Sequence, residues 1–205
     1  MHPKPPVASS LDEATATQHL AESVAEAGKP TGEPTAAPRA DFLAPPQTAD
    51  EMGRLGGYRV LRLLGEGGMG SVFLAEDVTL QRPVALKVMK PEIAAKSNAR
   101  ERFLREARAA AKIKHDHIIT IYQVGEDRGV PFLAMELLDG ESLEDRLQRE
   151  RTLPVADVMR IGRETAEGLS AAHALALIHR DIKPANLWLE VRDQPAWRVK
   201  ILDFG

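Results

Sequence analysis

The eight residues His179-Arg180-Asp181-Ile182-Lys183-Pro184-Ala185-Asn186 gather several reactive side-chain types in one short stretch. The Asp181 carboxylate can accept the proton of a hydroxyl. The Lys183 ammonium can steady a transferring phosphoryl group, and the amide oxygen of Asn186 can bind a metal ion. Pro184 has no backbone N–H and keeps the segment out of a helix, so these groups sit on a loop. An ordinary surface loop seldom carries so many roles. Further on, Asp203 in Leu202-Asp203-Phe204-Gly205 supplies a second hard oxygen donor of the kind Mg2+ takes.

Two stretches nearer the N-terminus could serve the same chemistry. In Gly65-Glu66-Gly67-Gly68-Met69-Gly70-Ser71-Val72 the spacing is G-x-G-x-x-G. The dinucleotide-binding fingerprint shares it, but there the third glycine opens a helix. Here Ser71-Val72-Phe73-Leu74 lacks helical periodicity, so the glycines bridge two strands. They form either a plain hairpin turn or a flap whose amide N–H groups point at phosphate oxygens. Lys87 lies in the apolar run Val84-Ala85-Leu86-Lys87-Val88, where it is either an edge residue reaching for water or a phosphate-binding cation. The second role needs a carboxylate partner. Glu106, flanked at helical spacing by Phe103, Ala107 and Ala110, offers one. Paired with Arg102 on the solvent side it is worth about 0.3–0.5 kcal/mol. Paired with Lys87 in a half-closed cleft the raw attraction reaches about 4 kcal/mol, much of it offset by desolvation. The value of that second pair is geometric.

The elements that must position these groups are legible from pattern. Residues 58–65, 71–77 and 82–90 are expected as an antiparallel meander, followed by a helix over 96–114 started by Ser97 or Asn98. Strands at 117–127 and 129–138 follow, then a short helix at 142–150 capped by Ser142. A long helix is expected over 153–176 with Val155, Val158, Met159, Ala166 and Leu169 on its apolar side. Two short strands then flank a turn at 192–197. Residues 1–55 differ in texture, rich in Pro, Ala, Gly and Thr, and read as a disordered tail with one transient helix from Ser10, its capping partner Glu13.

Composition narrows the class. The chain has 205 residues, 43% of them hydrophobic and none cysteine, so disulfides and thiolate metal sites are excluded. A formal charge of -3 gives no strong pull toward nucleic acid or acidic membranes. No apolar run is long enough to span a bilayer and the start lacks a secretory h-region, which points to the cytoplasm.

In this order the motifs resemble the protein kinase family: the glycine stretch from Gly65 to Val72, Val84 to Lys87, the helical Glu106, His179 to Asn186, and Asp203 to Gly205. "GGMG" and "DIKPAN" are most similar to bacterial, eukaryotic-like serine/threonine kinases. The likeness runs from Tyr58 to Gly205. It implies an α+β, two-lobed fold with a complete N-terminal lobe (a five-stranded antiparallel sheet and one helix) and a partial helical C-terminal lobe. It further implies ATP- and Mg2+-dependent phosphoryl transfer to a Ser or Thr hydroxyl of a protein substrate. In that reading the flap covers the ATP phosphates, and Lys87, anchored by Glu106, holds the α- and β-phosphates. Asp181 accepts the hydroxyl proton, Lys183 steadies the γ-phosphate, and Asn186 and Asp203 bind Mg2+. Val72 and Ala85 roof the adenine, Trp188 floors it, Met135 stands at the back as gatekeeper, and Glu136 to Leu138 form the hinge.

The family pattern continues beyond the D-F-G motif, so the resemblance implies a kinase domain over 58–205 that is incomplete at its C-terminal end. The long helix is then expected to lack packing partners, with roughly 10 kcal/mol of burial at risk against a whole-domain margin of about 5–15 kcal/mol. An inactive nucleotide-binding or regulatory fragment is the rival expectation, and a partner-binding role for residues 1–55 a third.

Overall fold

The computed structural model describes residues 41–191 and 197–204. The expected helix from Ser10 and most of the turn at 192–197 lie outside them.

Strands β1 (Gly53–Leu55), β2 (Tyr58–Glu66), β3 (Gly70–Asp77) and β4 (Arg82–Met89) are followed by helices α1 (Pro91–Ala94) and α2 (Ser97–Ala110), then by β5 (Ile121–Asp127) and β6 (Val130–Glu136). The six strands form one antiparallel sheet in the order β1-β2-β3-β4-β6-β5. Alternation along the strands sends Tyr58, Val60, Phe73, Ala75, Val84, Leu86, Val88, Phe132 and Ala134 into one apolar core. The same alternation turns Ala85 and Lys87 to the opposite face, toward α2 and the cleft.

All five expected strands are present, and β1 is an addition to them. It comes from the stretch read as tail. Ala44 exchanges backbone hydrogen bonds with Arg54 (2.8 and 3.0 Å), Leu43 and Leu55 are buried, and Phe42 packs against the core. Glu51, its side chain fully enclosed, is held by Arg54 at 3.2 Å and Arg59 at 3.3 Å. Residues 41–55 are thus part of the sheet's edge. Their Pro and Ala content hid a few large apolar side chains and a charge cluster that only a neighbouring strand could gather.

The second half contains β7 (Gly140–Ser142), α3 (Leu143–Glu150), α4 (Val155–Ala174), a 3-10 turn at Pro184–Asn186, β8 (Leu187–Val191) and β9 (Trp197–Ile201). The three strands make a small sheet in the order β7-β8-β9. Ser142 caps α3 as expected, accepting the Asp145 N–H at 3.0 Å. Helix α2 starts at Ser97 with Lys96 before it and no side-chain cap, so neither Ser97 nor Asn98 plays the capping role read for them.

The apolar side of α4 also differs from expectation. Val155, Val158 and Met159 are exposed, Ala166 likewise, and Leu169 is half-buried. The buried stripe is Ile161, Glu164, Thr165, Gly168 and Ala172. Two polar residues and a glycine lie in that stripe, while Val155, Val158 and Met159 are left uncovered, the outcome expected of a helix short of packing partners. Gly168 explains the choice: a Cβ there would stand 2.8 Å from Ile201 Cδ1 and 3.0 Å from the His117 carbonyl oxygen. Close approach of β9 to the helix needs that gap. Around it Ile113, Ile118, Leu143, Leu187, Leu189, Val199 and Ile201 complete a second core.

Candidate functional site

A cavity of about 610 Å3 lies between the glycine loop, the inner face of the sheet, α2, the 181–186 loop and Asp203. Gly65 to Gly70 form one wall. The turn is closed by Gly67 N–H donating to the Gly70 carbonyl at 2.8 Å, and a Cβ at Gly70 would stand 2.2 Å from the Val88 carbonyl oxygen. Only glycine fits at position 70. Ser71, opposite Val88 in the β3–β4 ladder, does not line the cavity.

Lys87 reaches across the cavity to Asp203, Nζ to Oδ1 2.6 Å, with its side chain only 17% exposed. The expected Lys87–Glu106 pair is not formed. Glu106 faces Arg102 at 3.8 Å and Arg180 at 3.7 Å, and its Oε1 makes no hydrogen bond. Arg102 is one turn away on the same helix and always within reach. Asp203 meanwhile supplies the Lys87 ammonium with its anion, at 2.6 Å.

The 179–186 loop is stapled to the end of β9. His179, 1% exposed, donates through Nε2 to the Leu202 carbonyl at 2.6 Å, and its Nδ1 accepts the Asp181 N–H at 3.2 Å. The Phe204 ring packs on it at 4.7 Å. Leu202 N–H in turn donates to the Asn186 carbonyl at 2.9 Å. Asn186 gives its amide N–H groups to the Asp181 backbone oxygen (2.8 Å) and carboxylate (3.1 Å), leaving its own amide oxygen for another partner. Arg180 and Asp203 hold left-handed backbone angles, φ 68° and 53°, as non-glycine residues do mainly where neighbours over-determine them. Lys183 lies 2.7 Å from Asp181. That hydrogen bond holds the Asp181 carboxyl below its ordinary pKa and raises the Lys183 ammonium above its own.

The apolar end of the cavity is lined by Val72, Ile119 and Met135. Ala85, Leu138 and Leu202 pack with them in one cluster but do not themselves line the cavity. Ile119 was missed, since nothing in a lone apolar residue marks it as pocket rather than core. Glu136 turns its carboxylate away from the cavity, to the Thr120 N–H at 2.6 Å and Lys200 at 2.5 Å. Trp188 does not line the cavity either. It alternates with the core residues Leu187 and Leu189, and its indole N–H donates to the Asp139 carbonyl at 3.1 Å. The floor role expected of Trp188 is therefore not seen; Leu202 stands with the adenine-side residues instead.

Comparison with known proteins agrees with this architecture. Residues 58–205 match the protein kinase domain family. The chain is 40% identical over 153 residues to a probable serine/threonine-protein kinase, pknA2, of Bifidobacterium longum, covering 73% of this chain and 20% of that protein. It is 41% identical over 149 residues to pkn3 of Myxococcus xanthus (72% and 27% covered) and 42% identical over 149 to PknJ of Mycobacterium tuberculosis (73% and 25%). The chain thus spans about a quarter of the length of the curated relatives it matches. Among solved structures, the Mycobacterium tuberculosis PknI kinase domain superposes with a TM-score of 0.67 at 35% identity, over 77% of this chain and 62% of that one. The family match covers more than half of the chain, and this chain belongs to the protein kinase family.

Proposed function

We propose that this chain is a serine/threonine protein kinase catalytic region that transfers the γ-phosphoryl group of ATP, with Mg2+, to a protein hydroxyl. The observation that carries the reading is the convergence of the glycine loop, Lys87, Asp181, Lys183, Asn186 and Asp203 on one cavity. Phosphoryl transfer asks little covalent chemistry of a protein; it asks for positioning and charge. Each named side chain supplies one of these.

The donor set fits Mg2+. Asn186 and Asp203 offer hard oxygens, and Lys87 stands 2.6 Å from Asp203 where a cation neutralises it. Among the described residues no cluster of three or more His, Cys, Asp or Glu forms a metal cage. Two protein oxygens suit an ion that keeps most of its positions for phosphate and water. Held by Asn186 and Asp203, Mg2+ would supply positive charge to neutralise the phosphate oxygens. The chain's own groups do the rest. The amides of the glycine loop bind phosphate, Lys87 holds the α- and β-phosphates, and Lys183 steadies the γ-phosphate. Asp181, whose carboxylate form Lys183 further favours, orients the substrate hydroxyl and takes its proton. Val72 and Ala85 roof the adenine and Met135 stands at its back, with the backbone of Glu136 to Leu138 reading its edge.

The partners in this reading are ATP and a Ser- or Thr-bearing protein, with no nucleic acid. No helix among the described residues is long and apolar enough to cross a membrane, and the proposed setting is the cytoplasm. The test is transfer of radiolabelled phosphate from ATP to a generic basic protein. The wild-type chain should label it and Asp181→Asn should not; equal labelling by both overturns the assignment of Asp181.

One observation favours a second reading, a nucleotide-binding regulatory role without catalysis: Glu106 sits on Arg102 and Arg180 rather than on Lys87. Thermal stabilisation by MgATP with no transfer supports that alternative.

A further inference from the structure

Lys200 is 2% exposed, and lysine is almost never that buried without a partner. Its Nζ meets Glu136 Oε1 at 2.5 Å and the Ile118 carbonyl at 3.4 Å. The same carboxylate oxygen accepts the Thr120 N–H at 2.6 Å, and Glu136 N–H returns a bond to the Thr120 carbonyl at 3.0 Å. Neither Lys200 nor Glu136 lines the cavity, so neither side chain can touch a ligand in it. Both stand one step from residues that do. Glu136 ends β6 where the chain leaves the sheet beside Met135, and Lys200 lies on β9 three positions before Asp203.

We infer that Lys200 is a positioning residue, whose buried ion pair with Glu136 ties the adenine-binding end of the cavity to the strand that carries the metal-side carboxylate Asp203. This rests on the ATP reading given above. A buried ion pair is a poor way to gain stability, because apolar side chains of similar volume hold such a place as well or better. What a charge pair adds is direction. Apolar contacts let two strands slide, whereas an ammonium between a carboxylate and a carbonyl fixes their offset. The rest of the β9 end is already pinned: Ile201 N–H donates to the His117 carbonyl at 2.9 Å, Ile119 N–H to the Ile201 carbonyl at 3.0 Å, and Leu202 N–H to the Asn186 carbonyl at 2.9 Å. These bonds tie β9 to the 117–119 segment and the 181–186 loop. Only Lys200, among the described residues of β9, reaches the hinge by an ion pair.

The consequence is a coupling between the two ends of one ligand. Adenosine needs only the hinge end. A nucleotide with Mg2+ needs both ends at the right separation, so the strengthening of binding by Mg2+ reads the strut. The experiment is calorimetric titration of the chain with adenosine, and with a non-hydrolysable ATP analogue with and without Mg2+, in wild type, Lys200→Met, Lys200→Gln and Lys200→Arg. Lys200→Gln removes the charge but keeps a polar end that can donate to Glu136, and serves if Lys200→Met does not fold.

In Lys200→Met and Lys200→Gln, adenosine affinity should stay within about threefold while the Mg2+-dependent gain falls at least tenfold. Lys200→Arg should recover most of that gain. A Mg2+ gain within threefold of wild type in either folded charge-removing variant overturns the inference. So does a parallel loss for adenosine and the analogue that follows a lowered melting temperature, because that is a structural role alone. A wild-type chain that binds neither ligand overturns the ATP reading itself, a result distinguishable from the others.

Discussion

Asp181 and Lys183 show how two side chains set each other's chemistry. The ammonium at 2.7 Å lowers the carboxyl's pKa, so the proposed base stays ionised to more acidic pH than a free carboxyl would. Removing that ammonium raises the carboxyl toward its ordinary value of about 3.9. Lys183→Met should therefore move the acid limb of the pH–rate profile to higher pH, in addition to lowering the rate. Asp181→Asn removes the base itself and should cost about 10²–10⁴-fold in the rate of transfer. Nucleotide affinity, measured by titration, should change little, since Asp181 faces the hydroxyl rather than the adenine. All these residues were legible in the sequence because their types and spacing are unusual. Their partners were not. Glu106 was matched with Lys87, but Arg180, distant in sequence, takes a share of it.

At the scale of elements, the strands and helices follow from alternation and caps, and their faces follow from contact. Helix α4 is the clearest case. Its most hydrophobic side, with Val155, Val158 and Met159, is exposed, while Glu164, Thr165 and Gly168 are buried. Helix propensity alone favours replacing Gly168 by up to about 1 kcal/mol. Overpacking costs about 1–3 kcal/mol, and the first atom added already meets Ile201 and the His117 carbonyl. Gly168→Val should therefore lower the stability measured by urea unfolding, the clash outweighing the propensity gain. Ser142→Ala should cost about 1 kcal/mol by loss of the α3 cap, read the same way.

For the whole molecule, the second core is joined by a buried carboxylate as well as by apolar side chains. Glu164, its side chain 5% exposed, accepts from Arg160 at 2.8 Å and from the Val199 N–H at 2.8 Å, linking α4 to β9. Burial pushes its pKa up, but the bonds from Arg160 and Val199 outweigh burial and the net shift is downward. A carboxyl with a lowered folded pKa adds stability that is fully present above its unfolded value, about 4.3, and is lost as pH falls through the folded value. Glu164→Gln should thus be less stable than wild type at pH 7, by about 1–3 kcal/mol. The gap in urea midpoints should narrow as the pH drops below 4. By itself the sequence determined the order of the elements, the glycine-rich loop between two strands, the polar 179–186 loop and the family to which they belong, because each is carried by short motifs of residues close together in the chain. Only the tertiary structure decided which carboxylate holds Lys87, which face of α4 is buried, that residues 41–55 join the sheet, and that Lys200 reaches Glu136. Those outcomes are competitions between groups far apart in sequence, settled by distance and desolvation, and distance exists only once the chain has folded.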